Sequence, residues 1–155
     1  MRHLVINSCQ AALNVFAKLQ WLAPLVVRLF FGYFWLETGW AKLHNLDGAI
    51  ARFVDWGIPY AAFNAPLSAG TEFVGGVLLM LGLVTRLTSA VMIFNLIVAI
   101  ALVVIKNVHG FDDFVELDEF VDILIFFWLI VAGPGTVSLD ALIAKRFGLN
   151  VKGMN

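Results

Sequence analysis

Between Glu72 and Arg86 the chain runs Phe-Val-Gly-Gly-Val-Leu-Leu-Met-Leu-Gly-Leu-Val-Thr, with no other charge. The segment reads as a membrane helix with a carboxylate near one end and a guanidinium at the other. Ionisable groups are costly in hydrocarbon and face a bundle interior or a watery cavity. At about 100° per residue, Glu72, Gly76, Leu79, Leu83 and Arg86 share one stripe, with Gly75 and Gly82 at its edge. Glycines on a stripe let another helix approach closely. The stripe is therefore expected to be buried against protein, with a job or a partner for its acid. Arg86 is read as an end residue at the membrane edge.

Composition places the whole chain in the same class. Hydrophobic residues make up 61% and charged residues 14%, against about 45–50% and about 25% in soluble domains. Mean hydropathy is +0.92. A length of 155 residues allows one compact domain. A net charge of −1 and the lack of a basic patch exclude a nucleic-acid partner. The single cysteine, Cys9, excludes an intramolecular disulfide and a C-x-x-C redox pair. Polar residues interrupt the first twenty positions, so no cleavable signal peptide is expected.

The predicted fold class is all-α, a polytopic bundle of four transmembrane helices. A span needs about 20 mostly apolar residues. Four segments come near that: Leu22–Leu43, Pro66–Thr85, Leu87–Ile105 and Leu117–Ala132, the third carrying Asn95 in mid-span. Residues 1–21 form an amphipathic interfacial segment, with Ile6, Cys9, Leu13 and Phe16 on one face. Residues 22–142 form the membrane domain and 143–155 a cytoplasmic tail. Residues 44–65, with Trp56 and Tyr60, hold a short interfacial helix in the first outer loop. Residues 106–119 are an acidic connector. Gly133-Pro134-Gly135 stops the fourth helix, and Ser138 or Asp140 starts a short surface helix. Arg2, Lys18, Arg86, Lys145, Arg146 and Lys152 fall on one side, Lys42, Arg52 and Lys106 on the other. The positive-inside rule then puts both termini in the cytoplasm.

This topology brings Glu37, Glu72 and Asp122 to one depth, roughly 7–9 Å below the outer surface at 1.5 Å per residue. Asp118 lies one turn above Asp122, and Lys42, His44 and His109 lie near the mouth. These residues, Glu72, Asp122, Asp118, Glu37 and Lys42, form a candidate ligand or proton-handling pocket. Carboxylates crowded in a poorly solvated space cannot all ionise, so Glu72 is expected to be protonated among acids. The alternative is an ionised Glu72 paired to a basic group. The first helix places Arg28, Gly32, Trp35, Gly39 and Lys42 on one stripe and Glu37 about 180° from Arg28. Either Arg28 snorkels and Glu37 faces inward, or the reverse holds and Glu37 meets a partner chain. Gly32 and Gly39, with Gly75, Gly76 and Gly82, predict tight packing of the first helix against the second.

Other chemistries find little support. His44 and His109 with Asp112 are candidate metal ligands, but no helix carries a zinc-type histidine pair. Neither Ser138 nor Cys9 sits in an activating context for nucleophilic catalysis. No haem, flavin or iron–sulfur signature is present. Quinone and copper are the cofactors left open. A quinone slot would draw on Trp35, Trp40 and Glu72.

Several motifs, in order, resemble the DoxX family of small four-helix bacterial membrane proteins. They are Arg28-Leu-Phe-Phe-Gly32, Gly39-Trp-Ala-Lys42, Gly57-Ile-Pro59, Glu72-Phe-Val-Gly75-Gly76, Gly82-Leu-Val-Thr-Arg86, Gly133-Pro134-Gly135 and Ser138-Leu-Asp140. They span residues 22–142. Lys18-Leu-Gln-Trp-Leu-Ala-Pro24 and Lys42-Leu-His-Asn-Leu-Asp47 resemble a subgroup encoded with maturation genes for metal-binding modified peptides. The resemblance implies the fold and the membrane location. It also implies an accessory or ligand-binding role in redox or metal homeostasis. The alternatives are a membrane subunit of a quinone-linked oxidoreductase and a small transporter or exporter component for a metal or modified peptide. The partners implied are the lipid bilayer and a second copy or another membrane subunit.

Overall fold

The computed structural model describes residues 2–149, so residues 150–155 of the expected tail lie outside the described part. Eight α-helices follow in order: α1 (Arg2–Leu19), α2 (Leu22–His44), α3 (Leu46–Asp55), α4 (Ala61–Leu81), α5 (Thr85–Leu102), α6 (Phe111–Val115), α7 (Asp118–Ala132) and α8 (Leu139–Arg146). A 3₁₀ turn, Val104–Asn107, follows α5. No strand occurs among the described residues.

The second long helix departs from its expected span of Pro66–Thr85. It begins five residues earlier, at Ala61, because Tyr60 takes a left-handed backbone and the Asn64 side chain donates to Pro59 O at 2.7 Å. It ends at Leu81 because Gly82 turns left-handed (φ 64) and its N–H closes onto Leu78 O and Leu79 O. Val84 is also left-handed (φ 50), a strained conformation for a β-branched residue. The chain thus starts a new helix at Thr85, and the expected stripe from Glu72 to Arg86 is broken. Arg86 belongs to α5 and is exposed. The acidic connector also departs from a plain loop, since it folds into the 3₁₀ turn and α6.

α2 and α4 make the tightest pair in the molecule, through backbone rather than side chains. A Cβ on Gly39 would stand 2.7 Å from Ala69 O and collide with Phe73 N, and one on Gly76 would stand 2.6 Å from Gly32 O. α4 reaches beyond the end of α2, and α3 covers that overhang with Ala49 and Phe53 against Ala61 and Ala65. The main core lies where α2, α4, α5 and α7 meet: Trp35, Leu79, Met92, Leu96, Phe126 and Leu129 are all buried. Phe31 closes α2 onto α7 by packing its ring 4.8 Å from that of Phe126.

The buried stripe of α2 runs Pro24, Arg28, Gly32, Trp35, Gly39. Arg28 is therefore inside, 1% exposed, and donates to Leu79 O and Val137 O. Its guanidinium occupies the space a side chain at position 82 would need. Beside it, Asp140 accepts from Val84 N–H at 2.7 Å and Thr85 N–H at 3.0 Å, while its own N–H donates to Gly82 O at 2.9 Å. Of the two residues expected to start the last helix, Ser138 caps α8, accepting from Ala141 N–H. Asp140 instead caps α5 and holds the strained turn. α8 continues past residue 142, with Ala144 buried.

Large apolar side chains face outward: Phe30, Phe63, Phe127 and Val131 are all exposed. Among the described residues, one helix, Thr85–Leu102, is by itself long and apolar enough to cross a membrane. Cys9–Leu19 with Leu22–His44, bent by 44°, passes the same criterion as a pair. α2 and α4 do not meet that criterion as single helices, and α7 has only 15 residues.

The glycine seam makes a sharp expectation. Gly39→Ala forces α2 and α4 apart and should cost about 1–3 kcal/mol. Gly70→Ala, at a helical glycine with open space around it, should stabilise by about 0.5–1 kcal/mol. Thermal unfolding in detergent checks both signs, and equal effects would contradict the packing.

Candidate functional site

At the end of the bundle away from the α4–α5 turn lies a cavity of about 620 Å³. α2 contributes Phe34, Trp35, Thr38 and Lys42, and α4 contributes Asn64, Ser68 and Glu72. α3 and its end supply Phe53 and Trp56. α5 supplies Phe94, Asn95 and a row of aliphatic side chains. α7 supplies Asp118, Glu119 and Asp122. The size and the mixture of apolar wall with a few polar groups suit a small organic ligand.

At its heart is an ion pair. Lys42 Nζ donates to both oxygens of Glu72, at 2.6 and 2.7 Å, and Ser68 Oγ donates to Glu72 Oε1 at 3.2 Å. The Glu72 side chain is 3% exposed and that of Lys42 24%. The register of the glycine seam produces this meeting. Gly39 packs on Ala69 and Phe73, so Lys42, nearly one turn further along α2, reaches the turn of α4 that holds Ser68 and Glu72. The paired alternative for Glu72 is therefore the one the geometry adopts, and the expectation of Glu72 set among acids alone is corrected. Its neighbour is an ammonium, because α2 supplies Lys42 at that level.

The structure brings Glu72, Lys42, Asp118 and Asp122 to one cavity and leaves Glu37 outside it. Glu37 is exposed on the far side of α2, because the stripe facing α4 already holds Arg28, Gly32, Trp35 and Gly39. Trp35 lines the cavity, and its buried Nε1 has no hydrogen-bond partner. Trp40 does not line it. Half exposed, Trp40 packs on His44 and Phe73. With Lys42 engaged by Glu72, the carboxylates of Asp118, Glu119 and Asp122 have no salt-bridge partner among the described residues. The cavity is thus acidic towards α7.

The candidate metal ligands stay apart. Among the described residues no group of three His, Cys, Asp or Glu side chains is placed to hold a metal ion. His44 Nδ1 lies 3.0 Å from Trp40 O, and His109 contacts Asn107 O and Asp113. The cavity lining holds no His, Cys or Met, the soft ligands that copper prefers.

Sequence reasoning missed Ser68, Thr38, Asn64 and Glu119. Ser68 had a usable signal, lying four residues before Glu72 on the same helical face. A second concavity, about 670 Å³ between α2 and α7, is lined by Leu22, Val26, Leu124, Trp128 and other apolar side chains alone. It is almost wholly apolar and reads as a lipid-facing groove.

Known proteins show the same sequence pattern. The family model described as DoxX matches residues 23–105. The chain belongs to the DoxX family. It is similar to the "Uncharacterized membrane protein Rv3486" of Mycobacterium tuberculosis, 30% identical, covering 79% of this chain and 82% of that protein. It is similar to the "Inner membrane protein YqjF" of Escherichia coli, 27% identical, covering 84% and 98%. It is also similar to the "Putative oxidoreductase CatD" of Bacillus subtilis, 30% identical, covering 80% and 89%. No solved structure matches the chain. The family and the outward-facing apolar side chains make this DoxX protein an integral membrane protein.

Proposed function

We propose that this DoxX protein is a multi-pass inner-membrane protein that binds a small amphipathic redox ligand of the quinone class in its outer cavity. In this reading it serves redox homeostasis as an accessory binding protein. The observation that carries it is the cavity itself. Aromatic and aliphatic walls, Trp35 among them, surround a charged donor, Lys42, and the Trp35 indole N–H is buried without a partner among the described residues. A quinone needs an apolar slot for its tail and one or two donors for its ring oxygens. Lys42 and Trp35 would supply the donors, Phe34, Phe94 and the aliphatic face of α5 the slot. When bound, a quinone would supply two-electron redox chemistry. Glu72, itself bonded by Ser68, holds Lys42 in place, and Asp122 with Asp118 offers carboxylates at the acidic end of the cavity.

A second reading makes the protein a membrane subunit of a quinone-linked oxidoreductase. It uses the same cavity and is favoured by the Bacillus subtilis relative whose printed name contains oxidoreductase.

We read α2, α4, α5 and α7 as four spans, α1 and α3 as helices lying at the interface, and both termini as cytoplasmic. The basic residues around the α4–α5 turn and α8 support this orientation. A reporter active only outside the cytoplasm should stay silent when fused to residue 155 and become active when inserted after Gly110. Activity at residue 155 would sink the topology.

For the ligand, protein extracted gently from quinone-replete membranes should carry quinone, measured by solvent extraction and mass spectrometry. Trp35→Phe should lower the retained amount roughly tenfold, in line with about 1.5 kcal/mol for one lost donor. Wild-type protein that retains no quinone above the level of an unrelated membrane protein would overturn the reading.

A further inference from the structure

α2 carries two stripes on opposite sides. The inner one, Arg28, Gly32, Trp35, Gly39 and Lys42, packs on α4 or lines the cavity. The outer one, Val26, Phe30, Tyr33, Glu37, Trp40 and His44, is exposed along its length, with Trp40 packing at its edge on Phe73 of α4. Phe30 is 76% exposed, Tyr33 54% and Trp40 51%, and Glu37 is exposed between them. The spacing along the outer stripe alternates four and three residues, the repeat that keeps a seam facing a second helix.

The polar groups on this stripe are what make it more than a lipid-facing surface. Glu37 sits seven residues, about 10 Å, inside the outer end of α2. It makes no hydrogen bond or salt bridge among the described residues, and neither the Tyr33 hydroxyl nor the Trp40 indole donates to anything. A carboxylate on a lipid-facing surface at that depth is costly. Two donors, one turn on either side of it, are equally unmet.

We infer that α2 is a self-association helix: the outer stripe docks on the same stripe of a second copy, and Glu37 is the polar centre of that seam. Copies inserted in one membrane share one orientation, so their two-fold axis runs along the membrane normal and the two α2 helices lie parallel. In that arrangement each Glu37 comes within one helical turn of the partner subunit's Tyr33 and Trp40. Each subunit offers the other a carboxyl acceptor and two donors, the same patch on both sides, as a closed symmetric interface requires. Each copy keeps its own outer cavity, which lies on the other side of α2. This inference is independent of what the cavity binds.

Single cysteines in a Cys9→Ser background test it in native membranes. Phe30→Cys and Ala41→Cys lie on or beside the seam and leave Tyr33, Glu37 and Trp40 intact. Phe63→Cys and Val131→Cys are exposed apolar positions elsewhere. The seam cysteines should give cross-linked dimers and the other two should not. Adding Glu37→Ala to Phe30→Cys should cut the dimer yield about fivefold, the scale of one interhelical polar contact. Glu37→Gln, which keeps an acceptor and adds a donor, should preserve it. Both Glu37 variants should fold, as judged by unchanged monomer elution and melting, because no intrachain contact depends on this side chain. Equal cross-linking at all four positions, none at the seam, or capture of a different membrane protein in place of a second copy would each overturn the inference.

Discussion

A carboxylate buried in an apolar bundle must be neutralised or matched, and in this chain it is matched. Lys42 on α2 donates to both oxygens of Glu72 on α4. Desolvating two charges costs several kcal/mol per ion, which only close geometry and further hydrogen bonds recover. The geometry comes from the glycines. Gly32, Gly39 and Gly76 bring the α2 and α4 backbones together, and this fixes the register that sets Lys42 opposite Glu72 and Ser68. Close packing and charge pairing therefore depend on each other along one seam.

The same seam organises the two ends of the bundle differently. Towards the α4–α5 turn, Arg28 fills the space beside Gly82 and binds carbonyls of α4 and of the segment before α8, while Asp140 holds the strained Val84 turn. That end is pinned by hydrogen bonds to backbone. At the opposite end the helices spread, α3 and the 3₁₀ turn cover the gap, and Lys106 ties the two by donating to Trp56 O at 2.9 Å. A cavity forms where the bundle is splayed, with the ion pair on one wall and the α7 carboxylates on another. Arg28 and Glu72 inside, with Phe30, Phe63 and Phe127 outside, reverse the usual arrangement of a soluble domain, in keeping with a protein whose solvent is lipid.

The long apolar runs made α2, α5 and α7 legible in the sequence, with ends close to those observed, because hydropathy and turn residues agree there. The start of α4 was obscured by the small residues of Ala61–Ala65, which are weak in hydropathy but pack under α3. Its end was obscured because Gly82 reads equally as a packing glycine or a helix stop. Glu72 was legible as a buried acid, since a lone charge in such a run has few other places to go. Its partner was not, because the thirty residues separating Lys42 from Glu72 hide the register, and crowded acids were the nearer explanation. Asp140 shows the same limit: its sequence position suits a local cap, and only the tertiary fold carries it to α5.

The most direct measurement is the stability in detergent of Lys42→Met, Glu72→Gln and the double variant. Lys42→Met strands a buried carboxylate and should cost about 3–5 kcal/mol. Glu72→Gln should cost less, because the Lys42 ammonium is partly exposed and can turn to water. The double variant should recover much of the Lys42→Met loss. If the two single losses are small and simply add, the ion pair is not what holds the site together.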